Sequence, residues 1–104
     1  MKFEWDERKN RANIEKHGVG FETASRIFDG PVFTAVDDRF EYGEVRENSV
    51  GMVDGILVLV VTHTDRGGTI RIISARPAKR AERTRYEEAL RQGIEHERTG
   101  GAGR

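Results

Sequence analysis

Hydrophobic positions change period along the chain, and each change marks an element. Phe3 and Trp5 alternate with charged residues, the pattern of a short strand or anchoring segment. Asp6 suits an N-cap, and a mostly polar helix is predicted from Glu7 to about His17, with a narrow apolar face around Ala12 and Ile14. Gly18 stops it, with Val19 placed to contact Ile14. Phe21, Ala24, Ile27 and Phe28 then recur at three- and four-residue spacing, a second short helix that Asp29-Gly30-Pro31 ends. Val32 to Val36 and Glu44 to Val53 read as strands around a polar connection at 37–43. The densest aliphatic stretch is 56–77, two β-branched runs flanking Asp65-Arg66-Gly67-Gly68, which predicts a hairpin. Tyr86, Leu90 and Ile94 recur every four residues, so an amphipathic helix is expected from Pro77 to about His96.

The sum is a single α+β domain over residues 1–98: two N-terminal helices, an antiparallel sheet of three to four strands, and a C-terminal helix. The glycine-rich end at 99–104 is expected to be a disordered tail. A four-residue hairpin loop pairs Thr64 with Thr69. Arg71 then lies opposite Thr62, His63 opposite Ile70 on the other face, and Arg76 opposite Leu57 at the far end. In that register Arg71 and His63 form no compact pair.

Composition narrows the class. Charged residues make up 35% of 104 residues, which fits one small domain with a thin core. Without cysteine there are neither disulfides nor thiolate metal sites, and a cytoplasmic location is expected. The longest apolar run, Ile56 to Val61, is too short to span a bilayer, and the N-terminus lacks the apolar region of a signal peptide. Net charge is zero but uneven. Residues 31–64 hold two basic against six acidic, whereas 65–92 hold eight basic against four acidic, which allows a local anion-binding face.

Candidate chemistry follows. Arg71 interrupts an apolar strand, so it either pairs with an acid such as Glu44 or Glu47 or serves as a fork for phosphate. Arg46 invites the same two readings. Arg76, before a proline and a helix, either binds phosphate or pairs with that helix. His63 is a general acid or base, or a half-buried histidine bonded to backbone. Lys16 and His17 end a helix, where cations are favoured without further function. Tyr86 is a core residue with its hydroxyl at the rim, or a platform for stacking a base. The two N-terminal helices form a helix-turn-helix-like pair, but the second exposes only Glu22, Thr23, Ser25 and Arg26, a poor set for reading base edges. There is no glycine-rich phosphate loop, no Ser/His/Asp signature and no metal-ligand spacing among His17, His63 and His96. Metal-independent chemistry is expected, with a carboxylate site for magnesium as the alternative.

The residues in order resemble the BrnT toxins of bacterial type II toxin–antitoxin systems. The resemblance rests on Phe3-Glu4-Trp5-Asp6, Asn13, Lys16-His17-Gly18-Val19, Phe21, Ala24 and Phe28-Asp29. It continues through Gly43-Glu44, Arg46, Gly51, Arg71-Ile72-Ile73-Ser74-Ala75-Arg76, Ala78, Glu82-Arg83 and Tyr86. Gly20 stands where the family usually has Ser, and Glu47-Asn48 where it is usually more apolar. The resemblance implies a RelE-like fold and a ribonuclease that arrests translation without a cofactor. It also implies a cognate BrnA-like antitoxin that neutralises the toxin and joins it on operator DNA. Within such an enzyme Arg46, Arg71 and Arg76 would stabilise the phosphorane, and Glu44 or His63 would be the base. Lys16, His17, Arg66, Lys79, Arg80 and Tyr86 would bind RNA. The competing class is a non-catalytic module that docks protein or DNA through the hairpin and the basic C-terminal helix.

Overall fold

The computed structural model describes residues 1–38 and 43–99, with side chains described through residue 92. The chain runs β1 (Lys2–Trp5), α1 (Glu7–His17), α2 (Phe21–Ser25) with a following 3-10 turn (Arg26–Asp29), β2 (Phe33–Asp37), β3 (Arg46–Val53), β4 (Leu57–Arg66), β5 (Thr69–Pro77) and α3 (Arg80–Thr99). The sheet has five strands in the order β1-β5-β4-β3-β2. It is mixed, since β1 runs parallel to β5 while the other neighbours are antiparallel. The expected antiparallel sheet of three to four strands is thus corrected. The segment around Phe3 and Trp5 is a full edge strand, with Phe3 opposite Ile70 and Trp5 opposite Ile72. Its partner lies far along the chain, which local periodicity cannot show.

Asp6 caps α1 by accepting from the Arg8 amide at 2.8 Å, and Gly18, at φ 73°, ends it by donating to the Ile14 carbonyl. The buried position of α1 is Asn13, not the expected Ala12 and Ile14; Ile14 is 46% exposed. The Asn13 amide donates to the carbonyls of Ala75 (2.7 Å) and Val19 (2.9 Å) and accepts from the Ala75 amide (3.2 Å). It therefore does for β5 what β1, ending at Trp5, no longer does. It satisfies buried backbone along the strand edge.

Phe21, Ala24 and Ile27 are fully buried, as their spacing predicts, and join Val53, Leu59, Val61, Ile72 and Ala75 in one core between the N-terminal helices and the sheet. Gly51 makes the approach possible. A Cβ there would come within 2.7 Å of Ile27 Cβ, so the 3-10 turn can sit on β3 only above a glycine. On the opposite face α3 is held by Tyr86, whose ring meets Phe33 edge-on at 5.5 Å and whose hydroxyl donates to the Pro31 carbonyl at 2.9 Å. The helix starts at Arg80, later than expected, because Pro77 is the last residue of β5. Of the expected disordered tail at 99–104, Thr99 is the last residue of α3, and residues 100–104 lie outside the described residues.

The hairpin register also differs. Gly67 and Gly68 both take positive φ, so the chain reverses in two residues and Arg66 pairs with Thr69. His63 lies opposite Ile72 and Arg71 opposite Thr64; beyond them the register shifts, with Thr62 opposite Ser74 and Val60 opposite Arg76. Strand β5 thus carries one extra residue, Ile73, a bulge. Residues 71 and 76 are an odd number apart and would face opposite ways on a regular strand. The bulge turns both arginines to the same face.

Removing the Asn13 amide leaves three buried backbone groups without a partner. Asn13→Ala is expected to lower unfolding free energy by about 3–4 kcal/mol in urea titration. Asn13→Asp, which cannot donate to two carbonyls, should do no better.

Candidate active site: an arginine-rich sheet face

Alternation along β3 places Arg46, Asn48 and Val50 on one face and Glu47, Ser49 and Gly51 on the other. The pairing carries the first set across to Thr62 and Val60, and from there to Ser74 and Arg76. Arg66 and Arg71 belong to the same face through Thr69 and Thr64. Four of the sequence-identified arginines, Arg46, Arg66, Arg71 and Arg76, therefore share the sheet face opposite the apolar core. Between them the floor is polar, and the Thr62 hydroxyl donates to Asn48 Oδ1 at 2.6 Å.

Each arginine is held. Arg71 pairs with Glu4 of β1 at 3.2 Å, not with Glu44 or Glu47 as anticipated, because β1 is its neighbour on the sheet. Glu44 instead pairs with Arg66 at 3.2 Å. Arg76 meets both oxygens of Glu82 at 2.8 Å, the helix pairing that was one of its two readings. Glu82 also accepts the Lys79 amide at 2.7 Å, which caps α3 three residues back. The Arg76 guanidinium, with help from that amide, holds the Glu82 carboxyl down at about 2. These pairs are part-exposed, so exchanging a carboxylate for an incoming phosphate costs little.

Two hollows open on this face. The larger, about 380 Å³, lies under α3 and is largely apolar, walled by Phe33, Val50 and Tyr86. The smaller, about 170 Å³, is polar and is lined by Thr62, Ser74 and, from the end of α1, His17. Asn48, Val60 and Arg76 line both, so the two adjoin. Lys16, Lys79 and Arg80 are exposed beside these elements. Tyr86 is buried and bonded to Pro31, and its phenol is pushed up by burial, so it packs α3 and does not stand free as a stacking platform.

His63 lies on the opposite face. It is 4% exposed, packs edge-on against Phe28 at 5.3 Å, and bonds through Nε2 to the Ser49 hydroxyl at 2.7 Å. Ser49 in turn meets Thr34 Oγ1 at 2.7 Å, and Glu47 Oε1 stands 3.9 Å from His63 Nδ1. Hydroxyl, imidazole and carboxylate come in the order of a nucleophile relay, but Ser49 is wholly buried, so no substrate reaches it. Among the described residues no three His, Cys, Asp or Glu side chains gather as a metal site. Asn48, Thr62, Ser74 and Glu82 were not singled out as site residues from the sequence. Cross-strand pairing carries Arg46 and Asn48 to Thr62, Ser74 and Arg76, the bulge brings Arg71 to the same face, and neither is written in a local pattern.

Fold and surface together define a small α+β domain with a guanidinium-rich face on a mixed sheet. Residues 5–82 match the family model described as the ribonuclease toxin, BrnT, of type II toxin–antitoxin systems, and the chain belongs to that family. The crystal structure of the Brucella abortus ribonuclease toxin, BrnT, superposes with a TM-score of 0.58 at 28% identity, covering 77% of this chain and 99% of that one. No significant match was found among curated proteins. The family match ends at Glu82, so most of α3 lies beyond it. A type II toxin implies an antitoxin partner. No described helix is long and apolar enough to cross a membrane.

Two pH windows are expected in stability. Burial lowers the affinity of His63 for a proton, while the unfolded imidazole protonates near 6.5. Its contribution is complete above that pH and declines as pH falls below it, and His63→Gln should remove this slope from urea titrations between pH 7 and 5. Glu82 contributes above 4.5 and loses its share as pH falls towards 2. At pH 7, Glu82→Gln is expected to cost about 1–2 kcal/mol, most of it by unfastening the start of α3.

Proposed function

We propose that this chain is an endoribonuclease that cleaves RNA on the arginine face by attack of a ribose 2′-hydroxyl on the adjacent phosphate. The observation that supports this most directly is the β5 bulge, which brings Arg71 and Arg76 to the face that already carries Arg46 and Arg66. The reaction builds up charge on a crowded phosphorane, and planar guanidinium groups match its oxygens in pairs. Arg46, Arg71 and Arg76 stabilise that charge. Arg66, Lys16, Lys79 and Arg80 hold flanking phosphates. Because guanidinium groups supply the cationic charge, the cleavage needs no metal ion.

In the cell the activity arrests translation in the cytoplasm. A BrnA-like antitoxin neutralises it, and operator DNA is met only through the toxin–antitoxin complex. Support for these points is the family membership. Purified protein incubated with RNA in EDTA should release fragments ending in 2′,3′-cyclic phosphate and 5′-hydroxyl, and should leave a 2′-deoxy strand intact. Alanine at Arg46, Arg71 or Arg76 should lower the rate by about 10–1000-fold. Undiminished cleavage by all three variants, each still folded, would sink the arginine mechanism; RNA binding with no cleavage by the native chain would favour a docking module instead.

A further inference from the structure

We infer that His17 is the catalytic base of this site and that a single nucleotide spans the two adjoining hollows. This rests on the ribonuclease reading. The larger hollow is roomy and mostly apolar, suited to a flat base against Phe33 and Val50. The smaller one is polar and suits a ribose with its phosphate. Arg76 and Asn48 border both, where the sugar-phosphate would cross.

Among the described residues lining the polar hollow, His17 alone carries an imidazole, whose ring nitrogen can accept a proton. Arg76 stays protonated; Asn48, Thr62 and Ser74 do not titrate there. The other acid–base candidates are elsewhere. His63 is buried behind the sheet with Nε2 engaged by Ser49. Glu44 pairs with Arg66 and lines neither hollow. Glu82 is clamped by Arg76, and the Tyr86 hydroxyl donates to Pro31. Among the described residues, the charged side chain that lines this hollow with His17 is Arg76 of β5, which Glu82 of α3 holds; Arg85 of α3 lines the adjoining hollow, and β3 and β4 contribute the neutral Asn48 and Thr62. The hydrogen bonds of Asn13 to Ala75 fix the last turn of α1 against β5, so His17 is presented to the hollow by a rigid element.

In the step, the imidazole accepts the 2′-hydroxyl proton as the bond from the 2′-oxygen to phosphorus forms. The bond from phosphorus to the 5′-oxygen breaks. The leaving oxygen takes a proton from water, and the hydroxide so formed recovers the proton held on His17. The products are a 2′,3′-cyclic phosphate and a 5′-hydroxyl.

The test follows cleavage of a short oligoribonucleotide by native protein, His17→Ala and His17→Gln between pH 5 and 9, with unfolding curves for each. The native rate should rise with pH along a limb that depends on the imidazole. His17→Ala should lower kcat by about 100-fold or more, with KM changed by less than about 3-fold, and should lose that limb. Added imidazole should restore part of the His17→Ala rate. If native protein cleaves RNA but either folded variant keeps both its rate and its limb, the His17 assignment alone falls. It also falls if kcat drops while the limb persists and imidazole restores nothing, since that marks a structural role. Native protein that cleaves no RNA would overturn the ribonuclease reading itself.

Discussion

The buried amide of Asn13 ties together the parts of this molecule that no sheet hydrogen bond could join. Strand β1 covers the edge of β5 only as far as Trp5 and Ile72. Beyond that, the backbone of Ala75 would be left unpaired inside the protein, at a cost of a few kcal/mol. Asn13 supplies both a donor and an acceptor there and holds the Val19 carbonyl as well. The direction of α1, the turn that follows it, and the presentation of Lys16 and His17 beside the sheet all depend on that one side chain. Asn10 plays the lesser counterpart, accepting from the Phe21 amide to seat α2.

The electrostatic design follows from the thinness of the core. A domain with so little apolar material cannot bury several guanidinium groups, so they stay at a half-exposed face, where Arg66, Arg71 and Arg76 each sit beside a carboxylate. Glu82 is the most economical of these partners. One carboxylate caps α3, fixes the Arg76 fork and joins the helix to the strand before it. The pairs keep the protein neutral overall, while their exposure leaves the arginines able to exchange partners with a polyanion.

Much of the fold could be read from local pattern. The Asp6 cap, the stop at Gly18, the buried stripe Phe21-Ala24-Ile27 and the hairpin itself all appear where residue chemistry puts them. The errors share one cause. Ala12 and Ile14 looked like the buried face of α1 because they are apolar, yet the position that meets β5 is the polar Asn13, buried for its hydrogen bonds. One of the two readings of Arg71 gives it an acid from the strand at 44–53, Glu44 or Glu47, yet its partner Glu4 comes from the other end of the chain. Of the two readings of His63, base or half-buried histidine, its burial beneath the sheet fits the second, with Ser49 as the bonded partner in place of backbone.

The sequence by itself determined the elements, the family and the identities of the charged residues, because caps, periodicity and a specific run such as Arg-Ile-Ile-Ser-Ala-Arg are local. Only the tertiary structure decided which of those residues meet. One extra residue bulged β5 and moved Arg76 onto the face that Arg71 shares with Arg46, while His63 stays on the other face. Side-chain facing in a sheet alternates at every residue, so a register error of one reverses it. Register is set by backbone partners and turn geometry that no stretch of sequence carries alone.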